Sequence, residues 1–222
     1  MTESIELEWC GHAYFLVKTG GLLIAIDPHD GGSLNIPTCR VQADHILVTH
    51  EHFDHNAVEV AGAPRAKEHR ARSGVFEIDG VKVESIRVYH DKSQGRLRGP
   101  VTAYKLDIQG LTLAHLGDIG HIPTGEQLDR LKGVDVLLIP VGGTYTINAE
   151  EAWETINLVK PKIAIPMHYW IPGLTLPIDP VDRFLNIIKT PRMRLESNKL
   201  TISKETLPEK TTIIIPQPPR KT

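Results

Sequence analysis

Seven consecutive residues, Thr49-His50-Glu51-His52-Phe53-Asp54-His55, gather three imidazoles and two carboxylates. Neutral imidazole and carboxylate are the ligands that borderline divalent metals such as zinc accept. His50 and His52 alternate across a bend and can grip one ion. Asp54 and His55 are adjacent on the following turn and can grip a second. A polar loop holding histidines by accident would more often carry one than three. The helical zinc motif H-E-x-x-H sets its histidines four apart on one face. Here the spacing is H-x-H-x-D-H, which places the cluster on a turn instead.

The elements around the cluster must position it. Ile46-Leu47-Val48 is a short apolar run that reads as a buried strand, and residues 57–61 read as a short helix. Upstream, residues 5–9, 13–17 and 22–26 predict three strands in a meander, with turns at Gly11-His12 and Gly20-Gly21. His12 reads as a satisfied turn histidine. His29 and Asp30 fall in a glycine-rich loop expected to be solvated. Residues 66–73 are polar and basic and are expected to form a solvated face. Downstream, residues 75–78 and 81–88 predict a hairpin around Asp79-Gly80, and residues 101–108 and 111–116 another around Gln109-Gly110. These hairpins deliver His90 and Asp118 just past their strands. His45 and His115 read as structural or packing residues, and His121 is not required by the ligand count.

The second half alternates helix and strand. Thr124-Gly125-Glu126-Gln127 and Asn148-Ala149-Glu150-Glu151 have the form of capping boxes opening helices. Lys160-Pro161 stops the second of them. Residues 134–139 and 162–165 predict apolar strands, the latter leading to His168. Residues 181–188 predict a last helix and 211–215 a closing strand. One α/β domain is expected over residues 1–215, followed by a disordered proline-rich tail at 216–222.

Composition narrows the class. The 222 residues suffice for one sizeable core. Apolar residues at 41% and charged ones at 23% suit a globular chain. A net charge of −2 gives no indication of a nucleic-acid partner. No apolar run approaches the ~20 residues of a membrane span. Met1-Thr2-Glu3-Ser4 shows no signal peptide. The two cysteines, Cys10 and Cys39, cannot make a disulfide framework, and a cytoplasmic home fits that count. Neither has metal-ligand spacing, so both are read as structural, with Cys39 near the surface.

The H-x-H-x-D-H pattern resembles the signature of the metallo-β-lactamase superfamily. Further elements of that family appear in order. Leu23-Ile24-Ala25-Ile26-Asp27-Pro28 is similar to its early strand ending in aspartate, and Val88-Tyr89-His90 to its third histidine. Leu116-Gly117-Asp118 is similar to its bridging aspartate, and Ile165-Pro166-Met167-His168-Tyr169 to its last histidine. The resemblance implies a four-layer αββα sandwich of two mixed sheets flanked by helices. It implies a first ion held by His50, His52 and His90, a second held by Asp54, His55 and His168, and Asp118 between them. Asp27 becomes a group that orients the histidine loop. The implied activity is hydrolysis of an ester, lactone or phosphodiester by a metal-bound hydroxide, with Asp54 orienting it or carrying its proton. Zinc is the first choice of metal, manganese or iron the alternatives.

The turns at Gly11-His12-Ala13 and Pro140-Val141-Gly142-Gly143-Thr144, with the Ile165-Pro166-Met167-His168-Tyr169 segment, resemble the small hydrolases related to ascorbate-6-phosphate lactonase. The substrate is expected to be a small molecule, and the loop at 91–100 is either a mobile surface loop or a part of the site that takes an anionic substrate. There Arg96 or Arg98 can fork onto phosphate or carboxylate, because the loop follows His90 directly. Trp170 is expected to wall the pocket. A mononuclear iron dioxygenase, a di-iron redox protein and a non-catalytic metal-binding protein are the alternatives on the same scaffold.

Overall fold

The computed structural model describes residues 4–220. In chain order the strands are β1 (Ser4–Trp9), β2 (Phe15–Thr19), β3 (Leu22–Ile26), β4 (His45–Val48), β5 (Lys67–Arg70), β6 (Val75–Ile78), β7 (Val81–Tyr89), β8 (Pro100–Ile108) and β9 (Leu111–His115). Then follow α1 (Gly125–Leu131), β10 (Val136–Pro140), α2 (Ala149–Val159), β11 (Ile163–Met167), α3 (Val181–Leu185), β12 (Arg192–Arg194), β13 (Lys199–Ser203) and β14 (Thr212–Ile215). Two mixed sheets result. One has the order β13-β1-β2-β3-β4-β5, the other β12-β14-β11-β10-β9-β8-β7-β6.

Side-chain alternation assigns the faces. Phe15 and Val17 of β2, Ile24 and Ile26 of β3 and Leu47 of β4 point into the core shared with the second sheet. Their neighbours Leu16, Ala25, Ile46 and Val48 point outward, against Val58, Val60 and Ala61. A period of two sends successive side chains to opposite faces, so these strands are buried on both. The outer cover at residues 58–61 is a 3-10 turn, shorter than the helix expected over 57–61.

Strand direction sets where the site lies. β4 runs parallel to β3, so both end at the same edge of the first sheet. β9 and β11 run parallel to β10, and β7 is antiparallel to β8, which is antiparallel to β9. The ends of β7, β9 and β11 therefore share one edge of the second sheet, and His90, Asp118 and His168 lie just beyond them.

Several local expectations change. Residues 67–70 form β5, an edge strand parallel to β4 that the sequence does not predict, while Lys67, Glu68 and Arg70 keep the expected exposure; charged residues on an edge discourage pairing with other chains. Asn148 caps α2 through a full capping box with Glu151. Thr124 makes no side-chain cap bond to α1, and Gly125 after it is left-handed at φ 52°. α3 stops at Leu185, where the Ile187 N–H turns to the Phe184 carbonyl and tightens the chain. Pro216 to Arg220 are placed against the body: Gln217 N–H donates to Ser197 O at 3.1 Å, and Pro219 borders Gly11. No described helix is long and apolar enough to cross a membrane.

Cys10 and Cys39 are joined in a disulfide across 29 positions, so the pair lends no support to a reducing compartment. The bond pins the loop after β3 to the end of β1. Closing a loop of that length contributes about 2–4 kcal/mol. The double variant Cys10→Ser/Cys39→Ser is expected to melt several degrees below the parent, and a reductant to lower the parent's melting temperature to the same value. Equal melting temperatures with and without the bond would contradict that contribution.

Candidate metal centre

The seven side chains singled out from the sequence come together in two neighbouring groups. One contains His50, His52, His90 and Asp118, the other Asp54, His55, His168 and also His12. Within each group one potential ligand atom per residue lies within 4.8 Å of the others. Asp118 faces both. Its Oδ2 is 3.3 Å from His90 Nε2, 3.3 Å from His168 Nε2 and 3.9 Å from His50 Nε2. Its Oδ1 is 3.2 Å from His55 Nε2.

Hydrogen bonds from behind aim the imidazoles. Asp27 Oδ1 accepts from Thr49 N–H at 2.7 Å, and its Oδ2 accepts from Thr49 Oγ1 at 2.7 Å and from His55 Nδ1 at 2.8 Å. The Thr49 hydroxyl, already donating, accepts from His50 Nδ1 at 2.9 Å. His90 Nδ1 donates to Tyr145 O at 3.0 Å. His50, His55 and His90 thus spend Nδ1–H on the protein and turn Nε2 to the centre. Fixing the tautomer in this way is what metal-ligating histidines require.

The backbone is held tightly to make this fit. Asp27 and His168 adopt left-handed φ values of 51° and 50°, unusual away from glycine and typical of functional sites. A Cβ on Gly142 would stand 2.2 Å from His168 O, and one on Gly120 2.4 Å from the His90 carbonyl carbon. The segments that carry His168 and His90 are pressed against main chain that only glycine can supply.

The donor set fits cations. Six buried side-chain atoms among the described residues lack a hydrogen-bond partner. Five belong to these groups: His12 Nδ1, His55 Nε2, Asp118 Oδ1 and both ring nitrogens of His168. An unpaired buried polar atom costs about 1–3 kcal/mol, so five together are unaccounted for by folding alone. Burial pushes the His50 imidazole down to about 3, helped by His55, and burial with His168 does the same to His12, also to about 3. Both rings are therefore neutral near pH 7. Burial opposes charge on His55, but the carboxylates of Asp118, Asp54 and Asp27 outweigh it and raise that imidazole well above its ordinary range. Burial likewise opposes charge on Asp118, and His168 and His55 outweigh it and hold the carboxyl well below the usual range.

Other sequence candidates lie differently. Arg98 stacks over the Tyr145 ring, 5.4 Å from its centroid, and donates from Nη1 to Tyr145 O at 3.4 Å. That carbonyl is the one holding His90. Arg98, Leu97, Lys92, Tyr145 and His90 line a cavity of about 360 Å³. Arg96 is exposed and does not line it. Trp170 is 41% exposed and lines a different cavity, of about 270 Å³, that none of those seven side chains borders. His29, expected in solvent, is fully buried, with Nε2 donating to Cys10 O and Nδ1 accepting from Gly31 N–H. His121 spends both nitrogens on Tyr89 N–H and Ile122 O. His12, expected to be a satisfied turn residue, joins the second group instead. Its only sequence signal is the glycine before it, which permits a turn sharp enough to aim the ring inward.

Comparison with known proteins agrees with the geometry. Residues 6–168 match the profile of the beta-lactamase superfamily domain. The chain belongs to the metallo-β-lactamase superfamily. Within it, a UPF0173 metal-dependent hydrolase of Carboxydothermus hydrogenoformans is 34% identical over 195 residues, covering 74% of this chain and 84% of the relative. A UPF0173 protein of Pyrococcus furiosus is 37% identical over 188 residues, covering 74% and 83%. A Thermotoga maritima structure assigned as a Zn-dependent hydrolase of the superfamily superposes with a TM-score of 0.74 at 30% identity, covering 96% of this chain and all of that one. The sandwich of two mixed sheets is thus that of a metallo-β-lactamase fold.

The sign of the pH dependence follows from His55. In the metal-free protein the carboxylates of Asp118, Asp54 and Asp27 favour its charged form, and a ring nitrogen that binds a cation must give up its proton. Loading with zinc or manganese at pH 7 is therefore expected to release protons, and affinity to rise with pH. Calorimetry in buffers of different ionisation heat reads the release directly. A pH-independent affinity with no proton released would contradict this account of the centre.

Proposed function

We propose that this metal-dependent hydrolase works with two divalent cations, zinc or alternatively manganese or iron, and cleaves an ester, lactone or phosphodiester bond in a small molecule. The observation that supports two cations is the position of Asp118, whose two oxygens face imidazoles of both groups at 3.2–3.3 Å. His50, His52 and His90 would hold one ion, Asp54, His55 and His168 the other, with Asp118 serving both. Such a pair lowers the pKa of a water and draws charge from the substrate oxygen that turns negative.

The chain's own groups then divide the work. Asp27 and Thr49 keep His50 and His55 in one tautomer. Asp54 is nearly buried, and its Oδ2 lies 3.6 Å from His55 Nε2. Burial opposes its charge, but His55, His12 and other neighbours outweigh that and hold its carboxyl well below the usual range, so it is ionised and suited to orient the attacking water by accepting a hydrogen bond from it. Arg98, beside the cavity that adjoins His90, would hold an anionic part of the substrate, with Arg96 on the same loop attracting it. Trp170 would serve as a wall only for a substrate long enough to reach its separate cavity.

Metal-reconstituted protein assayed on lactones, phosphodiesters, esters and thioesters tests the reading. Turnover of at least one class is expected, abolished by chelation and restored by metal. Asp54→Asn should lower kcat on that substrate by about 10²–10⁴. Arg96→Ala/Arg98→Ala should raise KM for an anionic substrate and spare an uncharged one. Activity that survives chelation, or an equal loss on charged and uncharged substrates, would count against the respective parts.

A further inference from the structure

His12 belongs to the second group without being one of the ligands assigned above. It stands on the turn between β1 and β2, fully buried at 1% exposure. Its main chain is fixed from several sides. Gly11 and His12 are both left-handed, at φ 95° and 52°. The His12 carbonyl accepts from Trp9 Nε1 at 3.0 Å and from His168 N–H at 3.1 Å. The turn is thereby tied to the segment that carries His168. The imidazole lies against the His168 ring with centroids 4.0 Å apart and reaches Asp54 Oδ2 with Nε2 at 3.0 Å.

The chemistry of that 3.0 Å contact decides the role. An ionised carboxylate only accepts hydrogen bonds, so the proton in the contact resides on His12 Nε2. A protonated ring nitrogen has no lone pair for a metal. His12 Nδ1 has no partner among the described residues. We propose that His12 is a positioning residue for Asp54: its Nε2–H fixes the carboxylate in the orientation that serves the second cation, as Asp27 fixes His55 from the other side. A carboxylate oxygen has room to accept this bond and still offer a lone pair to a cation. Loss of such a partner typically weakens metal affinity by about 10–100-fold. The inference rests on the reading that Asp54 serves the second ion.

Two substitutions separate positioning from packing and from direct ligation. His12→Gln puts an amide N–H near the place of Nε2, whereas His12→Phe keeps the ring's bulk without a donor. Titration of each metal-free protein with Mn²⁺ alone, followed by paramagnetic resonance, counts the tight and weak equivalents. H12F is expected to bind one equivalent as the parent does and the second at least about tenfold more weakly. H12Q is expected to recover most of that loss. Unchanged binding of the second equivalent in H12F overturns the proposal, and so does equal weakening in both variants. Nitrogen-15 NMR of the metal-free parent is an independent test. The Nε2–H tautomer of His12 supports the proposal and the Nδ1–H tautomer overturns it. A parent that binds only one equivalent contradicts the two-cation reading itself, and the tautomer then still decides whether His12 holds Asp54.

Discussion

A carboxylate with almost no exposure to solvent is costly unless opposite charge or good donors surround it. Asp118 is 2% exposed, and imidazoles of His55, His90 and His168 crowd it at 3.2–3.3 Å. These groups arrive from four separate strand ends. Nothing local holds them together; the two sheets must pack in register for them to meet at all. The two-sided burial of β3 and β4, the parallel run of β9, β10 and β11, and the glycines at 120 and 142 all serve that convergence. Asp27 repeats the arrangement one step back. Burial would raise its carboxyl, yet His55 beside it outweighs burial and keeps it charged to tie down the histidine loop.

Such a centre competes with the stability of the fold that carries it. Left-handed residues other than glycine cost of order 1–3 kcal/mol each, and three of them, His12, Asp27 and His168, lie at the centre. Buried atoms without partners add to the cost. The core between the sheets, extending from Ile5 to Ile215, works against these costs. The Cys10–Cys39 bond adds support next to the His12 turn, where the chain is most constrained. Ligand binding favours the state that binds, so cations at the centre would offset part of the strain.

What can be read from residues alone follows a physical line. The ligand-bearing loop is legible because its imidazoles and carboxylates crowd into a single short turn, and the hairpins at Asp79-Gly80 and Gln109-Gly110 because their turn residues and alternation agree. The edge strand β5 is hidden by its polarity: Lys67, Glu68, His69 and Arg70 look like a solvated run because an edge strand is partly solvated. The Cys10–Cys39 pairing cannot be inferred, since a separation of 29 residues says nothing of a 5.4 Å approach between Cα atoms. The segment from Pro216 to Arg220 reads as a tail in composition, but its placement depends on Ser197 and Gly11, far off in the sequence. His12 reads as a plain turn residue because its partner Asp54 is 42 positions away. Convergence from a distance leaves no pattern in a single sequence unless each piece has its own motif.

The central claim is that Asp118 lies between two cation positions, with three imidazoles on one side and Asp54, His55 and His168 on the other. Anomalous diffraction from crystals grown with manganese, recorded at the metal's absorption edge, tests it most directly. The account predicts two peaks per chain, one within reach of His50, His52 and His90, the other within reach of Asp54, His55 and His168, and Asp118 in contact with both. A single peak, or peaks remote from Asp118, would contradict it.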